Sequence, residues 1–548
     1  MFKSPDRGNS WTAISGDLTE ATDRETLALM GLKAAEFEIA KHDGVQSYGN
    51  IVSLVESPKQ AGVIYAGTDD GKVHMTRDGG KSWTDITGRF PNVPKNAYVS
   101  RLVPSAHEVN VVYASFDNHR ADDMNTYVYA SVDGGNNFRS IGEGLPKGHT
   151  VTSMTEDPKN SNVLYSGTEF GLFVSPNRGG TWTRFKGNVP TVPIHEIVFH
   201  PRDNDIILAT HGRSIWILDD ATPLQQYPDA IKSDAFLFDM RPAMQFNLAN
   251  DRGFITDKPF FGKNPTYGAP ISFYLAKGQT NVALRIRDAS GTQVREITGN
   301  DLRDARGAGV NRVYWDLRHQ PLAPLAGQPA GGGGGGGGGG FGGGGNNGPN
   351  VMPGEYRVTL VVDGKDVATK SVRVNGDSAV TFPEDQRKTW HDTALGLHEM
   401  QRVGNAAAEA VTTLATQLSA AEALMKSAAN PPASAKSAIS DANTKLADLR
   451  RRLGLNQQGG GGGGGGFGGQ QANVRGQLGQ VKGQIMGSTS MPTAQQMRSS
   501  VELREDLTKA VADTNELIAA IPAIYDALGA SGAKPTALKP VGPIPPAR

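Results

Sequence analysis

Between residues 49 and 220 the chain repeats one pattern of apolar and polar positions. A short apolar run is followed by a polar turn, a second run, a second turn and a third run, and a small acidic segment then ends in an aromatic residue. In the first full copy the apolar runs are 51–55, 63–66 and 73–75. Runs of this length, bounded by Gly, Pro and Asp, predict β-strands packed between neighbouring sheets. The copies recur at intervals of roughly 40 to 55 residues, which is typical of propeller blades.

The segment at the third turn of each copy follows the pattern S/T-x-D-x-G-x-x-W/F, and we call these segments the corner motifs. They span 4–11, 76–83, 131–138 and 175–182. The Asp can accept N–H groups of its own turn, the Gly permits positive φ, and the aromatic ring can pack between sheets. In the fourth motif Asn replaces Asp and can still form the turn. We therefore predict structural roles for Asp6, Trp11, Asp78, Trp83, Asp133, Phe138, Asn177 and Trp182.

The predicted fold is mainly β with additional α structure. Residues 1–221 form propeller blades, 222–270 an irregular bridge, and 271–376 an immunoglobulin-like β-sandwich that contains a Gly-rich loop at 327–350. Trp315 and Tyr356 are expected in the core of this sandwich. From 383 to 530 the apolar period becomes helical, as in Met400, Val403 and Ala407, and predicts a bundle with a Gly-rich linker at 456–470. Residues 531–548 are expected to form a loose, Pro-rich tail.

The propeller is expected to be incomplete. Met1 stands directly before a corner motif, so the first blade lacks its two opening strands, whereas residues 194–220 supply strands without a motif. Either these two ends complete one blade and close a small ring, or the chain is the C-terminal portion of a larger propeller. An insertion at residues 22–48 interrupts the repeat and is predicted to include a helical turn around Glu25 to Met30.

The composition of the chain excludes several classes of binding partner and of functional site. The 55 basic and 55 acidic residues balance, so no overall field favours nucleic acid or an anionic membrane. The chain has no Cys, which excludes disulfides and thiolate metal sites. No apolar run reaches the roughly 20 residues of a membrane span, and the N-terminus lacks the apolar stretch of a signal peptide. No motif predicts a metal or a cofactor. The Ala-rich face of residues 405–423 could pack on a second copy.

The residues that could bind a ligand or catalyse a reaction lie in the second turns of the repeats. Strand order places these turns on the rim opposite the corner motifs. Long and varied loops are where propellers usually bind ligands. The predicted ligand-binding residues are Asp69, Asp70, His119, Arg120, His211 and Arg213, and the candidate catalytic acids are Asp122, Asp123 and Glu169. These are suitable types for acid–base chemistry or polar binding. They are also ordinary hairpin residues, and no catalytic motif accompanies them.

The chain resembles known families in two places. The corner motifs resemble the Asp-box, or BNR repeat, and the strings VIYAGTDDGKVHMTRDGGKSW, LYSGTEFGLFVS and ILATHGRSIWILDD resemble the C-terminal half of large bacterial sortilin (Vps10)-like proteins, often labelled glycosyl hydrolase-like. Gly291, Asn311, Trp315-Asp316 and 353–356 resemble the Ig-like module of flagellar hook-cap proteins. The first resemblance favours a portion of a larger propeller in a periplasmic or extracellular protein.

Three functions follow from the sequence. The first is an interaction module that binds a protein, peptide or glycan through the loop face. The second is a glycoside hydrolase-like enzyme that uses the acids of that face. The third is a truncated scaffold without activity of its own. The hydrolase label comes with the fold, and a fold does not establish chemistry.

Overall fold

The computed structural model describes residues 1–29, 31–33, 36, 48–246, 265–324, 345–381, 383–428, 432–455, 473–529 and 534–546. It divides the chain into two compact units, which are 1–239 with 273–277 and 308–310, and 240–272 with 278–307 and 311–548. The predicted Gly-rich linker, most of the Gly-rich loop and much of the 22–48 insertion lie outside the described residues.

Five of the antiparallel sheets in the first unit follow one another along the chain, and we call them blades 1 to 5; in each of them the strands follow sequence order. Blade 1 has β1 (Phe2–Lys3) and β2 (Thr12–Ala13), and blade 2 has β5 (Ile51–Glu56), β6 (Ile64–Thr68), β7 (Val73–Thr76) and β8 (Thr84–Asp85). Blade 3 has β9 (Tyr98–Pro104), β10 (Val112–Asn118), β11 (Asp123–Ser131) and β12 (Arg139–Ser140), and blade 4 has β13 (Val151–Glu156), β14 (Leu164–Thr168), β15 (Gly171–Ser175) and β16 (Thr183–Arg184). Blade 5 has β17 (Ile194–Phe199), β18 (Ile206–Thr210) and β19 (Ile215–Leu218).

Apolar side chains fill the spaces between consecutive blades. Tyr65 and Met75 of blade 2 belong to one core cluster with Phe116 and Phe138 of blade 3, and equivalent clusters join blade 3 to blade 4 and blade 4 to blade 5. The first strands of consecutive blades also pack on one another. Both faces of a middle blade are therefore buried, which explains why its strands are apolar on both sides.

The two ends of this stack belong to separate sheets. Because β1–β2 and β17–β19 are not hydrogen-bonded to each other, the described strands do not combine into one blade. Leu54 of blade 2 and Ile217 of blade 5 are 58% and 59% exposed, respectively. Equivalent positions in the middle blades are covered by a neighbouring blade.

The described parts of the insertion and of the bridge are more regular than predicted. Arg24–Thr26 forms a helical turn of the 3-10 type, and β3 (Ala28–Leu29) pairs with β4 (Leu32–Lys33) soon after it. Between residues 222 and 246 the bridge contains two short helices, α1 (Thr222–Gln225) and α2 (Tyr227–Ala230), and two short strands, β20 (Ala235–Leu237) and β21 (Ala243–Met244).

The β region that follows forms two sheets. Its strands are β22 (Ala269–Leu275), β23 (Val282–Arg287), β24 (Gln293–Thr298), β25 (Gly309–Trp315), β26 (Gly354–Val362) and β27 (Lys365–Asn375). One sheet has the order β21-β27-β26-β23-β24 and the other β20-β22-β25. The predicted core positions are confirmed, because Trp315 and Tyr356 are buried and their rings meet edge to face at 5.1 Å between centroids.

Four long helices form the C-terminal bundle of the second unit. They are α3 (Glu384–Ser427), α4 (Ala433–Arg452), α5 (Val474–Met486) and α6 (Ala494–Ala527). The predicted apolar stripe of α3 is buried in their shared core, as Met400, Val403 and Ala407 show. Residues 534–546 also contribute to this core, so this part of the tail is not loose. No helix in the described ranges combines the length and the apolar character needed to cross a membrane.

Candidate ligand-binding face

Backbone hydrogen bonds define two opposite rims of the blade stack. On the corner rim, each corner motif of blades 2 to 4 bonds the first turn of its own blade, as in Gly79 N to Gly62 O at 3.0 Å. On the loop rim, the second turn of a blade bonds the residue that precedes its first strand, as in Glu169 N to Thr150 O at 3.3 Å and His211 N to Pro193 O at 3.0 Å. The candidate binding residues therefore lie on the rim opposite the corner motifs.

The corner motifs satisfy their own polar groups. In the second motif Thr76 Oγ1 donates to Asp78 Oδ1 at 2.7 Å, and Ser82 donates to the same carboxylate through its N–H at 3.0 Å and its hydroxyl at 2.6 Å. The corresponding bonds occur around Asp6, Asp133 and Asn177. Hydrogen bonds from Asn137 and Ser131 lower the pKa of Asp133 to about 2. These groups are occupied by the turn itself and are not available to a ligand.

The motif aromatics connect consecutive blades. Trp83 Nε1 donates to Ile14 O of blade 1 at 2.8 Å, and Trp182 Nε1 donates to Ile141 O of blade 3 at 2.7 Å. Trp11 is 63% exposed and donates to Gly8 O of its own turn instead. The motif therefore contributes to the blade interface wherever a preceding blade is described.

The acidic pair Asp69 and Asp70 is engaged within the fold. The carboxylate of Asp69 accepts from Gly49 N at 3.0 Å and from Asn50 N at 2.6 Å. Asp70 is buried, and its carboxylate accepts from Thr68 Oγ1 and, at 2.8 Å, from Glu20 N. Both residues lie on the loop rim as predicted, but their carboxylate oxygens already hold neighbouring backbone.

The loop between β10 and β11 contains both engaged and available side chains. Asp117 accepts from the ring of His119 at 2.7 Å, and Arg120 lies over the Tyr98 ring at 5.0 Å from its centroid. Asp122 is exposed in the left-handed conformation, with φ 59°, and its carboxylate makes no hydrogen bond or ion pair within the described ranges.

The other acid of this loop, Asp123, is fully used as an acceptor. Its carboxylate accepts from Asn118 Nδ2 at 3.0 Å, Asn125 Nδ2 at 2.8 Å and the Tyr127 hydroxyl at 2.8 Å. Burial by itself raises the pKa of Asp123, but these bonds outweigh it and hold the pKa below its usual value. A general acid needs a raised pKa, so Asp123 is in the wrong environment for proton donation.

Glu169 lies beside an aromatic group that the sequence did not indicate. The carboxylate of Glu169 makes no hydrogen bond or ion pair to any described residue. Its neighbour Phe170 is 45% exposed, and the Phe170 ring meets the His149 ring at 4.7 Å between centroids. Burial, with a smaller effect of the Arg184 charge, lowers the pKa of His149, so this imidazole is neutral at pH 7. The cluster joins a free carboxylate to an exposed apolar ring.

Blade 5 contributes a basic and aromatic group. The His211 ring lies against the His195 ring at 5.4 Å between centroids, and both residues are exposed. Arg213 is exposed, and its guanidinium has no partner among the described side chains and backbone groups. The paired imidazoles come from the first strand and the second turn of the same blade, so His195 belongs to the candidate face although it was not predicted.

An ion pair between first strands was also missed. Arg101 of β9 pairs with Glu196 of β17, and both side chains are partly exposed. These two charged residues interrupt the runs YVSRLVP and IHEIVF, which are otherwise largely apolar or uncharged. A charged residue within the innermost strand of a blade is a signal that could have located them.

The described residues do not form a metal site, since no cluster of three or more His, Cys, Asp or Glu side chains is present among them. The arrangement on the loop rim is instead one of separate polar and aromatic groups. It can donate and accept hydrogen bonds and stack against an apolar or planar group of a ligand.

Comparisons with known proteins leave the family open. No family model matches the chain, and no curated protein matches it. Among solved structures, a GH74 xyloglucanase from Xanthomonas campestris matches at 16% identity and a TM-score of 0.27, over 59% of this chain and 45% of its own. YCF48 from Cyanidioschyzon merolae matches at 18% identity and a TM-score of 0.24, over 30% of this chain and 52% of its own. An ancestral GH74 enzyme matches at 14% identity and a TM-score of 0.24, over 45% of this chain and 32% of its own. The chain thus spans about a third to a half of the length of these structures.

Proposed function

We propose that this chain is an interaction module that binds a peptide segment of a protein, or a glycan, through the loop rim of its blades. The observation that carries the proposal is the contrast between the two rims. The motif carboxylates of the corner rim are all hydrogen-bonded within their own turns. On the loop rim the side chains of Asp122, Glu169 and Arg213 have no partner within the described ranges, and Phe170 presents an exposed ring next to Glu169.

Each of these groups suits recognition of a polar ligand. A free carboxylate accepts N–H or hydroxyl donors, a free guanidinium binds carbonyl or carboxylate oxygens, and an exposed ring stacks on an apolar side chain or a sugar face. Their neighbours Asp69, Asp70 and Asp117 hold the loops in place through internal hydrogen bonds. The face therefore combines a fixed backbone with unoccupied side chains, which favours binding without large rearrangement.

Binding is better supported than glycoside hydrolysis. A hydrolase of this type needs one carboxylic acid with a raised pKa and a second carboxylate at a suitable separation. Asp123 has a lowered pKa and accepts from four donors, the fourth being Asn125 N at 3.1 Å, and Asp122 is an exposed residue. In this proposal the corner motifs are Asp-boxes of a sortilin-like propeller in an exported protein, and the Ig-like sandwich is a spacer. In this proposal Asp122 and Glu169 contact the ligand and Asp123 supports its loop, instead of acting as catalytic acids.

The test uses the full chain against two probes, a random peptide display library and a glycan array. A selected peptide or glycan should lose at least about tenfold in affinity with Glu169→Gln, Phe170→Ala or Arg213→Ala, because each removes one contact worth about 1.4 kcal/mol. Lys81→Ala is the matched control, since Lys81 is exposed on the corner rim. If the loop-rim variants bind as well as the native chain, or if only the control loses affinity, the proposed face is wrong. Release of reducing sugar from array glycans that Glu169→Gln abolishes would favour the hydrolase instead.

A further inference from the structure

The last described segment, residues 534–546, packs against the helical bundle and forms neither helix nor strand. Its side chains alternate with a period of three: Pro535, Leu538 and Ile544 are half-buried and Val541 is buried, whereas the residues between them are exposed. A period of three residues per turn is that of the polyproline II helix. The segment therefore presents one apolar face to the bundle.

Polar side chains of the bundle bind the backbone of this segment. Asn515 donates its Nδ2 to Val541 O at 3.1 Å, and its Oδ1 accepts from Val541 N at 2.7 Å. Gln417 Nε2 donates to Thr536 O at 2.7 Å. Because a polyproline II segment makes no internal hydrogen bonds, its backbone groups are free for such contacts. The Asn515 amide thus pairs with both backbone groups of one residue, as a neighbouring peptide group would.

The contacts also fix the direction of the segment. Gln417 of α3 bonds its beginning, Asn515 of α6 bonds its middle, and Arg504, three turns earlier in α6, donates to Pro545 O near its end. The segment therefore runs antiparallel to α6, and Gln417, Asn515 and Arg504 mark a continuous groove along the bundle. We call this the tail groove.

The tail groove is not fully filled at its start. A cavity of about 400 Å³ lies beside Pro535 and is lined by Ile518, Ile521, Pro522, Tyr525 and Leu538, among others. The Tyr525 hydroxyl donates to Gln417 O at 2.9 Å, so the ring is held at the cavity wall. Grooves lined by aromatic and apolar residues with adjacent hydrogen-bond donors are those that recognise proline-rich peptides.

We propose that the tail groove is a binding site for extended proline-rich peptides with an apolar residue at every third position, and that residues 534–546 are its resident ligand. The chain between Gly529 and Lys534 is short, so the attached tail competes with any added peptide at an effective concentration in the ~mM range. A peptide in trans can bind only when the tail has left. This site is separate from the loop rim, and its test does not depend on the function proposed there.

The test measures binding of a fluorescein-labelled synthetic peptide with the sequence of residues 534–546, by fluorescence anisotropy, to two forms of the full chain. One is the native chain. The other carries Leu538→Asp and Val541→Asp, which place carboxylates on the apolar face of the tail and release it from the groove. The released form should bind the peptide saturably, and the native chain should bind it at least about tenfold more weakly because its own tail occupies the site.

Groove variants in the released form locate the binding site. Asn515→Ala and Arg504→Ala should each weaken peptide binding several-fold, whereas Glu516→Ala, an exposed neighbour that pairs with Lys445, should not. A peptide carrying the same two Asp substitutions should not bind. Circular dichroism at 222 nm checks that each variant keeps its helices. Absence of binding to a helical released form, equal binding to both forms, or binding that both groove substitutions leave intact would overturn the proposal.

Discussion

Replacing His398 by Gln is expected to remove an acid-sensitive contribution to the stability of the helical bundle. His398 is buried in α3, its Nε2 lies 2.9 Å from Gln320 O, and its Nδ1 lies 3.1 Å from Lys482 Nζ. The carbonyl requires a donor at Nε2, and the ammonium requires an acceptor at Nδ1. The ring is therefore the neutral Nε2–H tautomer, and a second proton at Nδ1 would face the ammonium group.

Lys482 holds the His398 ring in this tautomer. Its side chain is fully buried, and the ammonium also donates to Gln401 Oε1 at 2.7 Å, Gly345 O at 3.0 Å and Asn347 O at 3.1 Å. Burial, and then the charge of Arg318, lower the pKa of Lys482 to about 7. The oxygen acceptors around the group favour its charged form. The residues that follow the Gly-rich loop are thereby attached to the bundle.

The magnitude follows from the pKa of His398, which burial first and the Lys482 charge second lower from 6.5 to about 4. Between pH 6.5 and about pH 4, His398 is protonated in the unfolded chain but stays neutral in the folded chain. The contribution of His398 to stability therefore falls as the pH drops toward 4 and is constant below that. Proton linkage lowers the free energy of unfolding by about 2 kcal/mol by about pH 5 and by about 3 kcal/mol by about pH 4.

The assay is urea unfolding of the full chain and of His398→Gln, followed at 222 nm, where the four long helices of the second unit dominate the signal. Gln keeps one donor and one acceptor but does not titrate. The carboxylates titrate alike in both proteins, and Lys482, whose pKa is about 7, is already charged below about pH 6, so the comparison below that pH isolates His398. Between about pH 6 and about pH 4 the unfolding free energy of the native chain should fall by about 2 kcal/mol more than that of His398→Gln. Parallel curves for the two proteins across this range would refute the reasoning.

Two further predictions concern the blade interface, and differential scanning calorimetry of the first unfolding transition checks both. Gly179→Ala should lower the free energy of unfolding by about 2 to 4 kcal/mol, because φ is +84° and the new Cβ would lie 2.7 Å from the Ile141 Cβ. Its control, Gly148→Ala, has φ +77° but open space around it and should lower the free energy of unfolding by only about 1 kcal/mol. Equal costs would show that the interface relaxes. Trp182→Phe should cost about 1 to 3 kcal/mol by leaving the Ile141 carbonyl without its donor, and Trp11→Phe should stay within about 0.5 kcal/mol. A large loss at Trp11 would mean that its exposed ring is covered in solution.

The blades and helices could be predicted because their signals are local. Alternating apolar positions, Gly at positive φ and an acceptor two residues into a tight turn act within about eight residues of one another. The bridge and the insertion were less predictable, since α1, α2 and the pair β3–β4 are too short to show a period. The tail was misjudged for a different reason. Its Pro content indicates an extended chain, but only the position of Asn515 and Gln417 on distant helices shows that this chain is bound.

The sequence by itself determined which residues make the corner motifs and on which rim the second turns lie, because both depend on strand order and on bonds inside one turn. Only the tertiary structure decided which acids of the loop rim are available. Asp70 and Glu169 both stand in second turns, yet the Asp70 carboxylate accepts from Glu20 N, fifty residues away, and the Glu169 carboxylate has no partner among the described residues. The availability of a carboxylate depends on donors that folding brings from distant parts of the chain, and no local pattern records them.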